Sequence, residues 1–195
     1  IVPIVNPDGS HFFWNQSVDM GRKNGYLPPE MKEDDPTRGV DLNRNYPFRW
    51  NSGNRRASSG NTNNVFYRGP SPASEPETKA MIELAKRERF LFAMSFHSFA
   101  TAILFPYTID NLTNPEPDYV KDLAGRIISF AKSVRLNKEY RILKNLYPVD
   151  GTDQDYYYHT FGTNAFIAES SHQNVDYKIV HGILKGFKGV WENLL

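Results

Sequence analysis

Short apolar runs along the chain alternate with longer stretches in which apolar residues recur at helical spacing. The run at residues 90–96 has the length and continuity of a strand that is buried on both faces of a sheet. Residues 140–147 predict a strand or another extended segment. Three further apolar runs predict strands at residues 1–5, 102–107 and 164–168.

Between these runs, apolar residues spaced three and four positions apart predict amphipathic helices. The first helix follows Ser74, and Glu77 three residues later completes the pattern of a capping box. Gly162 is placed to end a short helix. The predicted helices cover residues 74–89, 118–136, 153–161 and 175–195.

Loops are predicted where polar residues, glycine and proline replace these patterns. Residues 6–9, Asn-Pro-Asp-Gly, predict a turn, and long irregular loops are predicted at residues 10–36 and 51–64. Alternation of strands and helices predicts a mixed, largely parallel α/β sheet covered by helices on both faces. Because no linker or repeat divides the chain, we expect residues 1–195 to belong to a single domain.

The composition narrows the classes of function. Lys and Arg number 23 against 22 for Asp and Glu, so no overall field attracts nucleic acid or an anionic membrane. The absence of cysteine excludes disulfides, thiolate metal sites and cysteine nucleophiles. No apolar run is long enough to span a bilayer, and no signal peptide is visible. Any specificity must therefore come from a local site.

Two polar residues stand where predicted buried strands end, at the edge of the sheet where α/β proteins bind ligands. His97 ends the run at 90–96, and Glu169 ends the run at 164–168. Burial would raise the pKa of Glu169 toward the range useful for proton transfer. The alternatives are a hydrogen-bonded structural histidine and a glutamate turned to solvent. The remaining histidines show no metal-binding spacing: His11, His159, His172 and His181.

A third candidate is the pair Asn43 and Arg44, which follows the apolar Val40 and Leu42 at a strand end. Arginine offers a planar fork of donors and asparagine a neutral amide, a combination suited to a carboxylate. The alternative is a surface arginine in a turn.

Taken together, these motifs resemble the zinc metallocarboxypeptidases of the carboxypeptidase A-like family. The resemblance covers essentially the whole chain in the correct order. Each motif is weak alone, and as a set they are specific. They are NPDG, GRKN, GVDLNRN, GPSPASEPET, SFHS, Tyr147 and Glu169.

The resemblance implies hydrolysis of the C-terminal peptide bond of peptides with one zinc ion. It implies that His97 is a zinc ligand and that Glu169 is the general base and acid acting on a metal-bound water. Arg22 matches the arginine that polarises the scissile carbonyl and stabilises the oxyanion. These roles agree with what amide hydrolysis needs: a Lewis acid, a proton shuttle and a stabilised oxyanion.

The resemblance also implies how the substrate is held. Asn43 and Arg44 match the pair that binds the free C-terminal carboxylate, and Tyr147 matches the mobile residue that caps it. Gln154 takes the position at the bottom of the side-chain pocket, where glutamine occurs in a branch of the family that prefers basic ends. We therefore favour a polar or basic last residue. Nearby carboxylates that could add negative potential are Asp150, Asp153 and Asp155.

Members of this family bind zinc mainly through a His-x-x-Glu motif ahead of the NPDG strand, and this chain begins at that strand. We expect the other two ligands and the N-terminal strands upstream of Ile1, with His97 the only ligand in this chain. A catalytic zinc site needs three protein ligands, so this polypeptide alone should be inactive. We interpret it as the larger, C-terminal part of an active enzyme, for which the resemblance favours an extracellular or periplasmic location.

Two alternatives remain open from the sequence. One is a zinc-free module that recognises peptide C-termini through Asn43, Arg44 and Tyr147. The other keeps the hydrolase but changes its substrate to cell-wall peptides or N-acyl amino acids. Residues upstream of Ile1 would separate the binding module from the enzyme. Peptides with free and amidated C-termini would separate the two hydrolases.

Overall fold

A computed structural model describes residues 1–15, 21–25, 38–130 and 140–170 of the chain. Helices and strands are interspersed through these residues, and a short 3₁₀ helix at Leu42–Arg44 lies between the first two α-helices. None of the described helices is long and apolar enough to cross a membrane. In chain order the elements are α1 Pro7–Asn15, α2 Pro76–Glu88, β1 Phe92–Ser98, β2 Ala102–Leu104, α3 Pro117–Phe130, β3 Arg141–Leu143, α4 Asp153–Phe161 and β4 Asn164–Ser170.

The described strands form one mixed sheet in the order β1-β4-β2-β3. Strands β1 and β4 are parallel, β2 and β3 are parallel, and β2 runs antiparallel to β4. This confirms the predicted mixed, largely parallel α/β sheet. Glu169 of β4 has His97 of β1 on one side and Ala102 of β2 on the other.

Helices cover both faces of the sheet, because successive residues of a strand point to opposite sides. On one face, α3 packs against Phe166 and Ala168 of β4. On the other, α2 and α4 pack around Ala165. Glu169 lies four residues after Ala165 on β4 and therefore projects from the same face. The buried residues of the α3 side are Ile103, Leu123, Ala124, Ile127, Tyr140, Phe166 and Ala168.

The predicted strand at residues 1–5 and the turn after it are wrong. The apolar residues Ile1–Val5 are exposed, and no described strand takes up their backbone hydrogen bonds. A helix, α1, begins at Pro7, because the side chain of Asn6 accepts a hydrogen bond from Gly9 N at 2.9 Å. Asparagine before proline therefore acts here as a helix N-cap. The same side chain donates to the carbonyl oxygens of residues 21–23 at 3.2–3.3 Å.

Other boundaries also differ from the predictions. Strand β1 is half-buried instead of buried on both faces, because it lies at the edge of the described sheet. Helix α2 has Glu75 as its N-cap, and Ser74 donates to that carboxylate at 2.6 Å instead of forming a capping box. Strands β2 and β3 are shorter than predicted. The predicted helical residues 131–136 and 175–195, and most of the predicted loop at 10–36, lie outside the described residues.

Helix α4 and its end at Gly162 were predicted correctly, and Gly162 allows a test of stability. This residue has φ +68°, and a Cβ added there would meet nothing within 4 Å. Replacement by alanine should lower the unfolding free energy by about 1 kcal/mol, because a residue with a Cβ disfavours the left-handed conformation. Urea unfolding would measure the loss.

Gly125 provides the matched control, because it lies inside α3 without a positive φ. A Cβ there would make an ordinary contact, 3.8 Å from Ile142 Cδ1. Gly125→Ala should raise the unfolding free energy by about 0.5–1 kcal/mol through helix propensity. Shifts of the same sign in the two variants would contradict the explanation from backbone conformation.

Candidate active site

His97 and Glu169 are neighbours on parallel strands, paired in register and therefore on the same face of the sheet. The Glu169 residue is 9% exposed, so it is not the solvent-facing glutamate of the alternative interpretation. Burial raises the pKa of Glu169, while the nearby charges of His97 and Arg22 act to lower it. The pair therefore places an imidazole beside a buried carboxylate whose proton affinity is increased.

Arg22, in the segment at residues 21–25, is close enough to Glu169 to act on the pKa of that carboxyl. Its Nη1 donates to Asp41 Oδ2 at 3.0 Å, and its guanidinium lies 5.0 Å from the centre of the Phe66 ring. Burial alone would lower the pKa of Arg22, but Asp41 and Tyr147 raise it above its usual value. Arg22 is therefore a permanent positive charge close to Glu169.

Arg44 is held in place inside the molecule, at 2% exposure, and is not a surface arginine in a turn. Its Nε donates to Ala57 O at 2.9 Å, and its Nη1 donates to Asn43 O at 2.6 Å. Its Nη2 lies 3.4 Å from the hydroxyl of Tyr147. These contacts fix the plane of the guanidinium and leave its Nη2 edge next to Tyr147.

The side chain of Asn43 connects the 3₁₀ helix to the start of α4. Its Oδ1 accepts a hydrogen bond from Asp153 N at 2.9 Å, so the amide Nδ2 faces away from α4. Asp153 in turn accepts a hydrogen bond from Ser95 Oγ. Ser95 lies two residues before His97 on β1, so both project from the same face. The asparagine, the helix start and the imidazole therefore lie in one region.

Tyr147 is 40% exposed and stands beside the arginines. Its ring centre lies 5.8 Å from Arg44 Cζ and 6.0 Å from the ring centre of Phe66. Its hydroxyl makes a weak contact at 3.4 Å with Arg44 Nη2, and it also interacts with Arg22, whose pKa it helps to raise. An exposed aromatic with a polar end is suited to covering a ligand bound at Arg44.

Gln154 is buried near the start of α4, at 1% exposure. Its Nε2 donates to Thr108 Oγ1 at 2.8 Å, and its Oε1 has no hydrogen-bond partner among the described residues. Asp155 accepts hydrogen bonds from Thr108 N, Thr108 Oγ1 and Ile109 N. Burial raises the pKa of Asp155 to about 6, although these bonds act to lower it.

The acidic residues around Gln154 are engaged by donors of the protein itself. Asp150 accepts hydrogen bonds from Ser52 N at 2.9 Å and Ser52 Oγ at 2.8 Å. Asp153 is bonded by Ser95 and Asp155 by Thr108 and Ile109. The three carboxylates therefore stabilise the surrounding structure, whether or not their charge also acts on a ligand.

Several site residues escaped the sequence analysis. Asp41 accepts from Arg22 through Oδ2 and from Asn43 N through Oδ1 at 3.1 Å, so one carboxylate holds both segments. An aspartate two residues before Asn43 is a local capping signal that could have indicated this role. Phe66, Ser95 and Thr108 carry no such signal, because their contacts are made with distant parts of the chain.

The fit of these residues to a metal is partial. Among the described residues, no three His, Asp or Glu side chains form a group that could hold an ion. A neutral His97 imidazole is suited to one position of a zinc site that needs three protein ligands. The described part of the chain does not complete such a site by itself.

The arrangement suits a ligand that carries a carboxylate next to a polar group. Arg44 and Asn43 offer donors for the carboxylate, and Arg22 is placed to stabilise a developing negative charge. Glu169 is placed to exchange a proton.

Comparisons with known proteins find a matching family and similar sequences. The family model described as zinc carboxypeptidase matches residues 1–182. Mouse carboxypeptidase A6 is 31% identical over 163 residues, covering 81% of this chain and 35% of that protein. Human mast cell carboxypeptidase A is 32% identical over 176 residues, covering 83% of this chain and 39% of that protein. The chain thus spans well under half the length of these relatives.

A solved structure shows the same fold. It is bovine thrombin-activatable fibrinolysis inhibitor in complex with a tick carboxypeptidase inhibitor. The TM-score is 0.79 at 23% sequence identity, and the match covers 98% of this chain and 68% of that one.

Proposed function

The chain belongs to the zinc carboxypeptidase family, and from this premise we propose that the protein containing it removes the C-terminal residue of peptides by hydrolysis. The observation that carries the proposal is the close grouping of the Asn43–Arg44 pair, Arg22 and Glu169. Such a grouping lets one substrate present its free end to Asn43 and Arg44 and its last peptide bond to Glu169.

The free carboxylate of the substrate is bound first in this proposal. Arg44 Nη2 and Asn43 Nδ2 donate to its two oxygens, and both side chains are already oriented by other contacts. Little conformational entropy is then lost when the substrate binds. Tyr147 moves over the carboxylate and excludes water from it.

The scissile carbonyl lies next to Arg22, whose fixed positive charge stabilises the oxyanion that forms on attack. Glu169 takes the proton from the attacking water and passes it to the leaving nitrogen. Burial raises the pKa of Glu169 toward neutral pH, and this favours both proton transfers. Zinc bound by His97, with further ligands from outside the described residues, would supply Lewis acidity at the same carbonyl.

The full-length protein provides the direct test. We expect it to contain zinc by elemental analysis, and to release the last residue of peptides whose C-terminus is free. The present chain alone should release none, since its described residues lack a complete set of ligands. Full-length protein that contains zinc and cleaves no peptide would contradict the proposal.

A second candidate function is recognition of peptide C-termini without cleavage. It is favoured by one observation: the groups that we propose to bind a carboxylate all lie among the described residues, whereas a complete set of metal ligands does not. Binding of free but not amidated peptides by protein without zinc and without turnover would support it.

Replacement of Tyr147 by phenylalanine should have a modest effect. It removes only a hydroxyl that lies 3.4 Å from Arg44 and interacts with Arg22, and the ring that covers the ligand remains. We expect KM to rise about two- to tenfold, the equivalent of one hydrogen bond, with little change in kcat. Steady-state kinetics on a free-ended peptide measures this. A large fall in kcat with unchanged KM would instead place the hydroxyl in the chemical step.

A further inference from the structure

The ring of Phe66 lies against both arginines of the candidate site. The guanidinium carbon of Arg22 is 5.0 Å from the ring centre and that of Arg44 is 5.5 Å from it, and both carbons stand over the ring. Cation–π attraction acts within about 6 Å of a ring centre, so both contacts are close enough. The function proposed above uses both arginines but gives no role to the ring that they share.

The two arginines differ in their other partners. Asp41 supplies a negative charge to Arg22 at 3.0 Å. No carboxylate of the described residues forms an ion pair with Arg44, whose Nε and Nη1 donate to backbone carbonyl oxygens. The rings of Phe66 and Tyr147 lie over or beside this cation, at 5.5 and 5.8 Å. The charge of Arg44 is therefore surrounded by neutral groups.

An aromatic ring attracts a cation without neutralising it. A carboxylate beside Arg44 would take its N–H donors and compete with the carboxylate of a substrate. The face of the Phe66 ring attracts the positive charge through its quadrupole and brings no oxygen that would fill the donor positions. Arg44 Nη2, which lies 3.4 Å from the hydroxyl of Tyr147, therefore stays available for a ligand.

The backbone of Phe66 is fixed from two directions. Its N–H donates to Asn64 Oδ1 at 2.8 Å, and its carbonyl oxygen accepts from Ser59 N at 3.0 Å. The carbonyl of the next residue accepts from Asp41 N at 2.8 Å. Asp41 also holds Arg22, so the ring is anchored to the residue that orients one of its two arginines.

The same ring contacts the residue that we propose to cover the substrate. The ring centre of Tyr147 lies 6.0 Å from that of Phe66, and the two ring planes are tilted by 42°. Phe66 itself is half-buried, with the rest of its side chain open to solvent. One ring therefore connects the two arginines with the tyrosine beside them.

Resting on the proposed function, we propose that Phe66 is a positioning residue that holds both guanidinium groups through the face of its ring. Arg44 is kept in place for the free carboxylate of the substrate and Arg22 for the scissile carbonyl, and neither charge is neutralised by the ring. The aromatic character of this side chain, beyond its volume, then sets how well the enzyme distinguishes free from amidated C-termini.

The test replaces Phe66 in the full-length protein by phenylalanine analogues that carry one, two or three ring fluorines. Fluorine weakens the attraction of the ring for cations and changes its shape little. The measured quantity is kcat/KM for a free-ended peptide divided by kcat/KM for its amidated form. This ratio should fall with each fluorine, by about two- to fivefold in total, because losing one cation–π contact lowers the population of correctly placed Arg44 by about this factor.

Ordinary variants provide the controls. Phe66→Tyr keeps the ring and should keep the ratio close to that of the wild type. Phe66→Leu keeps an apolar side chain without a ring and should lower the ratio as much as three fluorines do. Phe161→Leu is the matched control, because it removes a ring that stands 5.6 Å from Arg89 at the C-terminal end of α4. It should leave the ratio unchanged.

The outcomes distinguish this inference from the proposed function. A ratio that stays at the wild-type value through the fluorinated series, or that falls equally in Phe161→Leu, would overturn the inference and leave the peptidase in place. Equilibrium binding of the same two peptides, measured in the Glu169→Gln background, covers the case in which no peptide is hydrolysed. If free-ended peptides then bind more tightly and lose that preference with each fluorine, the catalytic proposal fails and the positioning role stands. Neither hydrolysis nor a binding preference would overturn both.

Discussion

Glu169→Gln is expected to lower kcat for peptide hydrolysis by about 100- to 10,000-fold in the full-length protein, the usual contribution of general acid–base catalysis. The amide has the size of the carboxylate but cannot accept a proton from water. Zinc content should stay unchanged, because Glu169 is assigned to proton transfer and not to the metal. Steady-state kinetics and elemental analysis on the same preparation measure both quantities.

The fold should tolerate this change. Burial disfavours the charged form of Glu169, so a neutral side chain of the same shape removes a desolvation cost. The control is Glu83→Gln, which changes a carboxylate on α2 whose side chain is 68% exposed. Retained turnover in Glu169→Gln would remove this residue from the mechanism, and loss of zinc would reassign it as a ligand.

Arg44→Ala is expected to lower kcat/KM for free-ended peptides by a factor on the order of 100 to 1,000. Such a loss is typical when one partner of a buried, hydrogen-bonded charge pair is removed. Amidated peptides carry no charge for Arg44 to bind, so their slower cleavage should change much less. In Arg44→Ala, the ratio of kcat/KM for free-ended peptides to kcat/KM for amidated peptides should therefore approach one.

The ratio is the useful measurement because Arg44 also holds Ala57 O, and its loss will reduce the amount of folded protein. A ratio of rates does not depend on how much enzyme is active. Arg126→Ala is the matched control, since the Arg126 side chain is 67% exposed on α3 and pairs with Asp122. If amidated and free-ended peptides are already cleaved equally by the wild type, Arg44 does not have this role.

A helix whose start and end both carry a local sequence signal could be predicted from sequence. Helix α4 has acidic residues in its first turn and Gly162 at its end, and its bounds agree with the prediction. The start of the chain was not predictable in this way, because Asn-Pro-Asp-Gly is compatible with a turn and with a helix N-terminus. The contacts of Asn6 with residues 21–23 favour the helix, and a local pattern cannot contain them.

The candidate site shows the same limit. His97 and Glu169 could be singled out because a polar residue after an apolar run is conspicuous in sequence. The link between Asn43 and Asp153 joins residues 110 positions apart, and the link between Gln154 and Thr108 joins residues 46 apart. Such residues become hydrogen-bond partners only when the chain folds, and the local sequence around either residue does not identify the other.

The two oxygens of Asp41 tie together parts of the site that act at different points of a substrate. One oxygen orients Arg22, which we propose to act on the scissile carbonyl, and the other accepts from the backbone N–H of Asn43, which we propose to bind the substrate's free end. In the proposed function, a single carboxylate would therefore link the contact at the substrate's free end to the contact at the reacting carbonyl. Binding energy from the free end could then help to lower the barrier as well as tighten ground-state binding.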